Sequence, residues 1–264
     1  MTRRRFTTAL LPGALLPGIL HAAETQQERA KRVIEQCIAA LGGDAFRHLP
    51  GHLQTGRAYS FYEDEVSGLS PAKIYTKYVE TGVVKEIQRQ VLGKSDDETV
   101  LLTATEGWDI TYRGAEAIPA AQLDKIHETQ LSDIFCILRT RLAEPNMSLF
   151  SKGSEVMENQ PTEVLDYYDA DNRNVTVWIH STTHLPVRQL VKRWDPILKE
   201  RRDEVTRYTK FRDIGNGVMW PHDVQRERDS QKTYQLYSDS VKAGTYPDSM
   251  FQLPLNAKII QKKK

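Results

Sequence analysis

The chain has 264 residues, enough for one large all-β or α+β domain or two small ones. Hydrophobic residues make up 39% of it and mean hydropathy is −0.53, which suits a broad sheet with an exposed face better than a parallel sheet buried on both. Lysine and arginine total 36 against 35 aspartate and glutamate, so the net charge of +1 supplies no basic field to hold nucleic acid.

The N-terminus reads as an export address. Thr2-Arg3-Arg4-Arg5-Phe6 is a basic opening, and residues 9–20 are apolar but interrupted by Pro12, Gly13, Pro17 and Gly18. His21-Ala22-Ala23 is a small-residue cleavage site ahead of polar Glu24-Thr25-Gln26. Residues 1–23 are therefore expected to be a signal peptide, too short and too broken to span a membrane. Arg3-Arg4 with Phe6 resembles a twin-arginine export motif, and an ordinary signal holding three arginines accounts for the same residues. Either route places the mature protein outside the cytoplasm, periplasmic or secreted and soluble.

Thr25 or a neighbour is placed to cap a helix running to about Leu41, with Ala30, Val33, Ile34, Cys37, Ile38 and Leu41 on one face and Gly42-Gly43 as its stop. Strands are expected over 53–62, 73–80, 83–92, 99–105 and 108–113. Pro119 opens a second helix to Arg141. Leu123, Ile126, Leu131, Ile134, Phe135, Leu138 and Leu142 form its apolar stripe, with Asp124, Lys125, His127, Glu128 and Asp133 on the polar side. Further strands follow over 148–158, 162–169, 174–180, 185–193, 205–211, 218–226 and 232–241. Along 218–224 the residues Val218, Trp220, His222 and Val224 share a face, the period of a half-covered sheet. The order helix, strands, helix, strands with short turns predicts an antiparallel, meandering α+β domain over residues 24–258, followed by a basic tail, 259–264.

Four short stretches in this order resemble the LolA-like superfamily of lipoprotein-localisation carriers, in its outer membrane lipoprotein-sorting branch. They are Ala40-Leu41-Gly42-Gly43 with the following strand, Glu106-Gly107-Trp108, and Trp178-Ile179-His180 leading into Leu185-Pro186-Val187-Arg188. The last is Tyr208-Thr209-Lys210-Phe211-Arg212-Asp213 with Gly217-Val218-Met219-Trp220-Pro221, closing on Pro247-Asp248-Ser249-Met250-Phe251-Gln252-Leu253-Pro254. The resemblance implies one strongly curved antiparallel sheet, an unclosed β-barrel, with helices over its concave face and a cavity for acyl chains. Arg57 lies in an early strand, but no local motif gives it the lid-contacting role of the carrier's arginine. Trp108, Trp178 and Trp220 on strands, and Leu131, Ile134, Phe135 and Leu138 on the second helix, are the cavity and lid candidates. For each, fixed core is the competing reading.

Other chemistry is weaker. Cys37 and Cys136 lie one in each helix; two cysteines define no disulfide framework, and buried free thiols are the favoured reading. His180 and His184 are separated by a turn and not set on one helix face as zinc ligands would be. Asp169-Ala170-Asp171-Asn172-Arg173-Asn174 lacks the glycine and distal glutamate of a calcium loop and reads as a hairpin turn. Glu63-Asp64-Glu65 reads as a solvated loop. No nucleophile elbow, phosphate loop or dinucleotide fingerprint occurs. The expected function is a monomeric exported carrier for a lipid, fatty-acyl chain or lipoprotein, exchanging with membrane-associated donor and acceptor proteins, without cofactor, metal or catalysis. The alternative is a regulatory or scaffold protein binding a protein partner through the same fold; an enzyme with a dispersed site is the third class.

Overall fold

The computed structural model describes residues 24–80, 82–195 and 198–260. The expected signal peptide and the lysine run 262–264 lie outside the described residues.

Helix α1, Gln26–Leu41, begins at a capping box: Thr25 Oγ1 accepts from Glu28 N at 3.2 Å while Glu28 Oε2 accepts from Thr25 N at 2.9 Å. It ends at Gly42, whose φ of 119° lies in the left-handed region. A Cβ there would meet Gly217 O at 2.9 Å, so the stop is also a close approach to the sheet. The short helix α2, Asp44–Arg47, buries Phe46.

The predicted second helix is interrupted. Helix α3 spans Ala120–Leu131, Asp133 is extended (φ −69°, ψ 135°), and α4, Ile134–Cys136, runs on as a π-helical turn, Ile137–Arg141. Two short polar side chains explain the break. Ser132 Oγ donates back to Glu128 O at 2.8 Å, and Asp133 Oδ1 accepts from Phe135 N at 2.8 Å, restarting the helix with a new N-cap. Asp133, expected on the polar outside, consequently turns inward.

The strands run β1 Gly51–Tyr62, β2 Glu65–Tyr78, β3 Glu86–Leu92, β4 Glu98–Leu102, β5 Gly107–Thr111 and β6 Gly114–Ala117. After the helices come β7 Ser148–Met157, β8 Gln160–Tyr168, β9 Asn174–His180, β10 Pro186–Asp195, β11 Glu200–Asp213, β12 Met219–Arg228, β13 Gln231–Ala243 and β14 Ile259–Ile260. All form one 14-stranded sheet, ordered β14-β6-β5-β4-β3-β2-β1-β13-β12-β11-β10-β9-β8-β7. Two antiparallel meanders thus join where β1 pairs with β13; β14, in the segment read as a tail, pairs parallel with β6. Gly56 is needed at that joint, because a Cβ would stand 2.0 Å from Tyr237 O beside the register shift at Thr55/Gly56. The strongly curved half-barrel is corrected to an open sheet, not strongly curled. Its outermost strands, β7 and β14, stand at opposite ends of the order, and pairs such as β10–β11 and β2–β3 run without the register shifts that bend a sheet.

Two-residue hairpin turns at Glu63-Asp64, Glu158-Asn159 and Asp229-Ser230 have both φ values positive, the geometry that matches strand twist. The first is the form taken by the solvated loop expected at 63–65, whose residues are exposed, and Asp64 Oδ1 there accepts from Lys232 N at 2.8 Å.

The main core lies between α1, α2, α4 and one sheet face, with Ile34, Leu41, Phe46, Leu138, Val177 and Ile179 each no more than 5% exposed. A smaller cluster, Leu102, Ile118 and Leu123, lies under α3. Both cysteines are buried free thiols, and burial raises both, Cys136 to about 12.

Candidate functional site: a polar cleft beneath a broken helix

Alternation along the middle strands sets one face of side chains side by side. Cross-strand register places Tyr208 against Val224, Val224 against Leu236, and Arg226 against Tyr234. On the other side of the joint His52 opposes Thr76, Gln54 opposes Ile74, and Thr76, Ile74 and Tyr78 oppose Gln88, Gln90 and Glu86. These residues floor a cleft of about 280 Å³, and Asp133 and Phe135 of the helical break lie over it.

One wall is aromatic. Trp220 lies 4.5 Å from the His52 ring and 4.7 Å from Phe135, and Tyr208 meets Phe135 edge-on at 5.1 Å. The opposite wall is a relay of amides along β3. Gln90 Nε2 donates to Gln88 Oε1 at 2.8 Å, and Gln88 Nε2 donates to Glu86 Oε1 at 2.9 Å. Burial, reinforced by the Asp133 charge, pushes the Glu86 carboxyl up to about 7. Burial likewise raises Asp133, whose Oδ2 lies 3.1 Å from the Tyr208 hydroxyl. Burial pushes His52 down to about 4; its Nε2 lies 3.2 Å from Gln54 Oε1 and its Nδ1 3.3 Å from the Tyr78 hydroxyl, which suits a neutral ring carrying its proton on Nε2.

Two arginines fix the cover. Arg139 donates to the carbonyls of Phe46 and Leu49 at 2.9 Å each while its guanidinium lies 3.6 Å from the Tyr78 ring centre. Arg141, 5% exposed, donates to Leu131 O at 2.7 Å and contacts Asp169 at 3.3 Å. Asp169 also accepts from Asp171 N and Arg173 N at 3.0 Å each, so the residues of the rejected calcium loop form a hairpin turn. At the other expected turn, His180 Nδ1 accepts from Thr182 N and Thr183 N at 3.2 and 3.1 Å.

Of the seven candidate residues, the structure brings Phe135 and Trp220 together on the cleft. Ile134 and Leu138 are each 1% exposed in the main core. Leu131 is half-buried where α3 ends. Trp108 is half-buried on β5, its Nε1 donating to Glu106 at 3.0 Å. Trp178 points to the other face of β9, donates to Glu155, and carries the Arg188 guanidinium 4.6 Å from its ring centre. The polar lining was missed: Glu86, Gln88 and Gln90 fall at every second position of a predicted strand, a stripe that sequence reading assigns to solvent. Among the described residues no group of three or more His, Cys, Asp and Glu side chains is placed to hold a metal ion.

No protein-family model matches the chain, and no curated protein matches it. Solved structures do. A LolA superfamily protein from Nitrosomonas europaea superposes with a TM-score of 0.53 at 15% identity, covering 85% of this chain and 97% of its own. A DUF1329 family protein from Desulfovibrio piger gives 0.59 at 11% identity, over 84% and 97%. A domain assigned as an outer membrane lipoprotein-sorting protein from Vibrio parahaemolyticus gives 0.55 at 10%, over 85% and 97%. This chain has the LolA-superfamily fold. That likeness covers most of the chain.

Proposed function

We propose that the mature chain is an exported, extracytoplasmic carrier that binds a lipid or lipidated protein in this cleft without a catalytic step. The carrying observation is that the cleft has two kinds of wall. Phe135, Trp220, Val224 and Leu236 offer apolar surface to a chain, and Glu86, Gln88, Asp133 and Arg226 offer polar contacts to a head group. Likeness to the Vibrio lipoprotein-sorting domain supports the same class of cargo. At about 280 Å³ the cleft lies at the small end of ligand sites, so it holds one segment of such a molecule with the rest outside. Affinity from an inserted chain scales at about 0.8 kcal/mol per buried CH₂. The helical break is the cover: Phe135 touches both the core and the cleft, and Asp133 caps the segment that carries it.

The test is mass spectrometry of organic extracts from the mature protein, purified without detergent after export under its own leader. A lipid recovered near one equivalent, and displaced by a fluorescent fatty-acyl probe, supports the carrier. A stoichiometric protein partner in pull-down, with no lipid and no probe binding, overturns it in favour of the scaffold reading.

A further inference from the structure

We infer that the cleft takes a protonated aliphatic amine, a ligand class set by two inward carboxylates facing aromatic rings in one enclosed space; this rests on the carrier reading above. Glu86 reaches the cleft from β3 and Asp133 from the helical break. The cleft's own cation is Arg226, which lies 5.8 Å from the Tyr234 ring centre and makes no ion pair with a described residue. With both carboxyls ionised the lining carries one excess negative charge. The amide relay sharpens it, since Gln90 and Gln88 both hand their N–H groups toward Glu86. That relay occupies one Glu86 oxygen; the other accepts no hydrogen bond from a described residue. Trp220, Phe135 and Tyr208 set their rings beside the cleft, and a ring's π face, not its edge, attracts a cation. Burial raises both carboxyls even though the Arg226 charge acts on both and the Arg139 charge acts on Glu86, and an ammonium would add to the charge compensation these guanidiniums begin. A carboxylate-ended ligand would instead add a third negative charge.

The amine can belong to a lipid head group or to a small free amine, and the probes separate these sources. Calorimetry on the mature protein at pH 7 compares dodecylammonium, dodecanoate and ethanolamine below micelle-forming concentration. Dodecylammonium should bind roughly tenfold or more tighter than dodecanoate. Because Glu86 titrates near 7 and the bound ammonium holds it ionised, binding should also release about half a proton, read from the dependence of heat on buffer. Glu86→Gln should abolish both the preference and the proton release. Equal binding of the two amphiphiles without proton release overturns the amine and leaves the carrier standing. Binding of neither amphiphile overturns both. Ethanolamine as tight as dodecylammonium keeps the amine, assigns it to a free solute and overturns the lipid carrier. The proton count is measured on the unmodified protein, so it decides the matter even if the variant misfolds.

Discussion

Glu86→Gln is the sharpest test of the cleft's electrostatics. The substitution keeps shape and keeps an oxygen for Gln88, and it removes only the charge. Moving a carboxyl from its ordinary 4.5 to about 7 corresponds to at most about 3 kcal/mol. Glu86 is half-buried, so water in the cleft reduces that to about 2 kcal/mol. The sign follows from proton binding. Below about 4.5 the carboxyl is neutral in the folded and unfolded chains alike; as pH rises through about 7 the folded chain must ionise a desolvated group, and wild type loses stability. The variant should thus be about 2 kcal/mol more stable at pH 8, and only about 0.5 kcal/mol more stable at pH 5. Urea unfolding of both proteins across this range measures the difference. A gap that does not change with pH, or a variant less stable at pH 8, refutes the desolvated carboxylate.

His52 should show the opposite slope: its depressed pKa contributes stability above about 6.5 that is lost as pH falls through about 4, and His52→Phe should flatten that part of the acid-unfolding curve. Arg139→Met leaves the Phe46 and Leu49 carbonyls without their donors and should cost about 2–4 kcal/mol in urea unfolding, with a loss below about 1 kcal/mol arguing against the pin. Leu138→Ala should cost about 2–5 kcal/mol with fatty-acyl probe affinity unchanged, whereas Trp220→Ala should weaken the probe; the reverse pattern would move the site away from the cleft. N-terminal sequencing of exported protein should begin near Ala23–Glu24, and an intact Met1 on the exported form would end the signal-peptide reading. Replacing Arg3 and Arg4 by lysine without effect on export would rule out twin-arginine dependence.

Legibility in the sequence differed by element. The first helix was readable because its cap, stripe and stop are local: Thr25 with Glu28, apolar residues at helical spacing, and Gly42. The meanders were readable because alternation and turns are also local. The second helix was not. Its stripe continues through Ser132-Asp133 without a glycine or proline, and the break comes from two side chains competing with the backbone and from Gln189, 55 residues on, whose Oε1 accepts from Ile134 N at 2.8 Å. The absence of strong curl was hidden for a similar reason, since register between β1 and β13 is a long-range fact. Trp220 was found by its size and alternation, but Trp108 and Trp178 have the same local signature and lie elsewhere. The cleft's polar half was invisible because a half-buried glutamine stripe and a solvated one look alike until the facing element is known.

The break in the helix is what turns a core-covering segment into part of a site. An unbroken helix would keep Asp133 on the polar side, where pairing with water would hold it as an ordinary carboxylate. Restarting the helix one residue later spends that carboxylate on Phe135 N and brings its second oxygen to the Tyr208 hydroxyl, at the cleft. The C-terminal end of the same segment is held by Arg139 to α2 and the loop before β1, and by Arg141 to α3 and the β8–β9 turn. The segment is therefore fixed at its far end by two guanidiniums and capped at its near end by Asp133, which lines the cleft together with Phe135. On the amine reading, a cation drawn to Asp133 would share the carboxylate that caps the segment carrying Phe135, which would couple charge in the cleft to that segment.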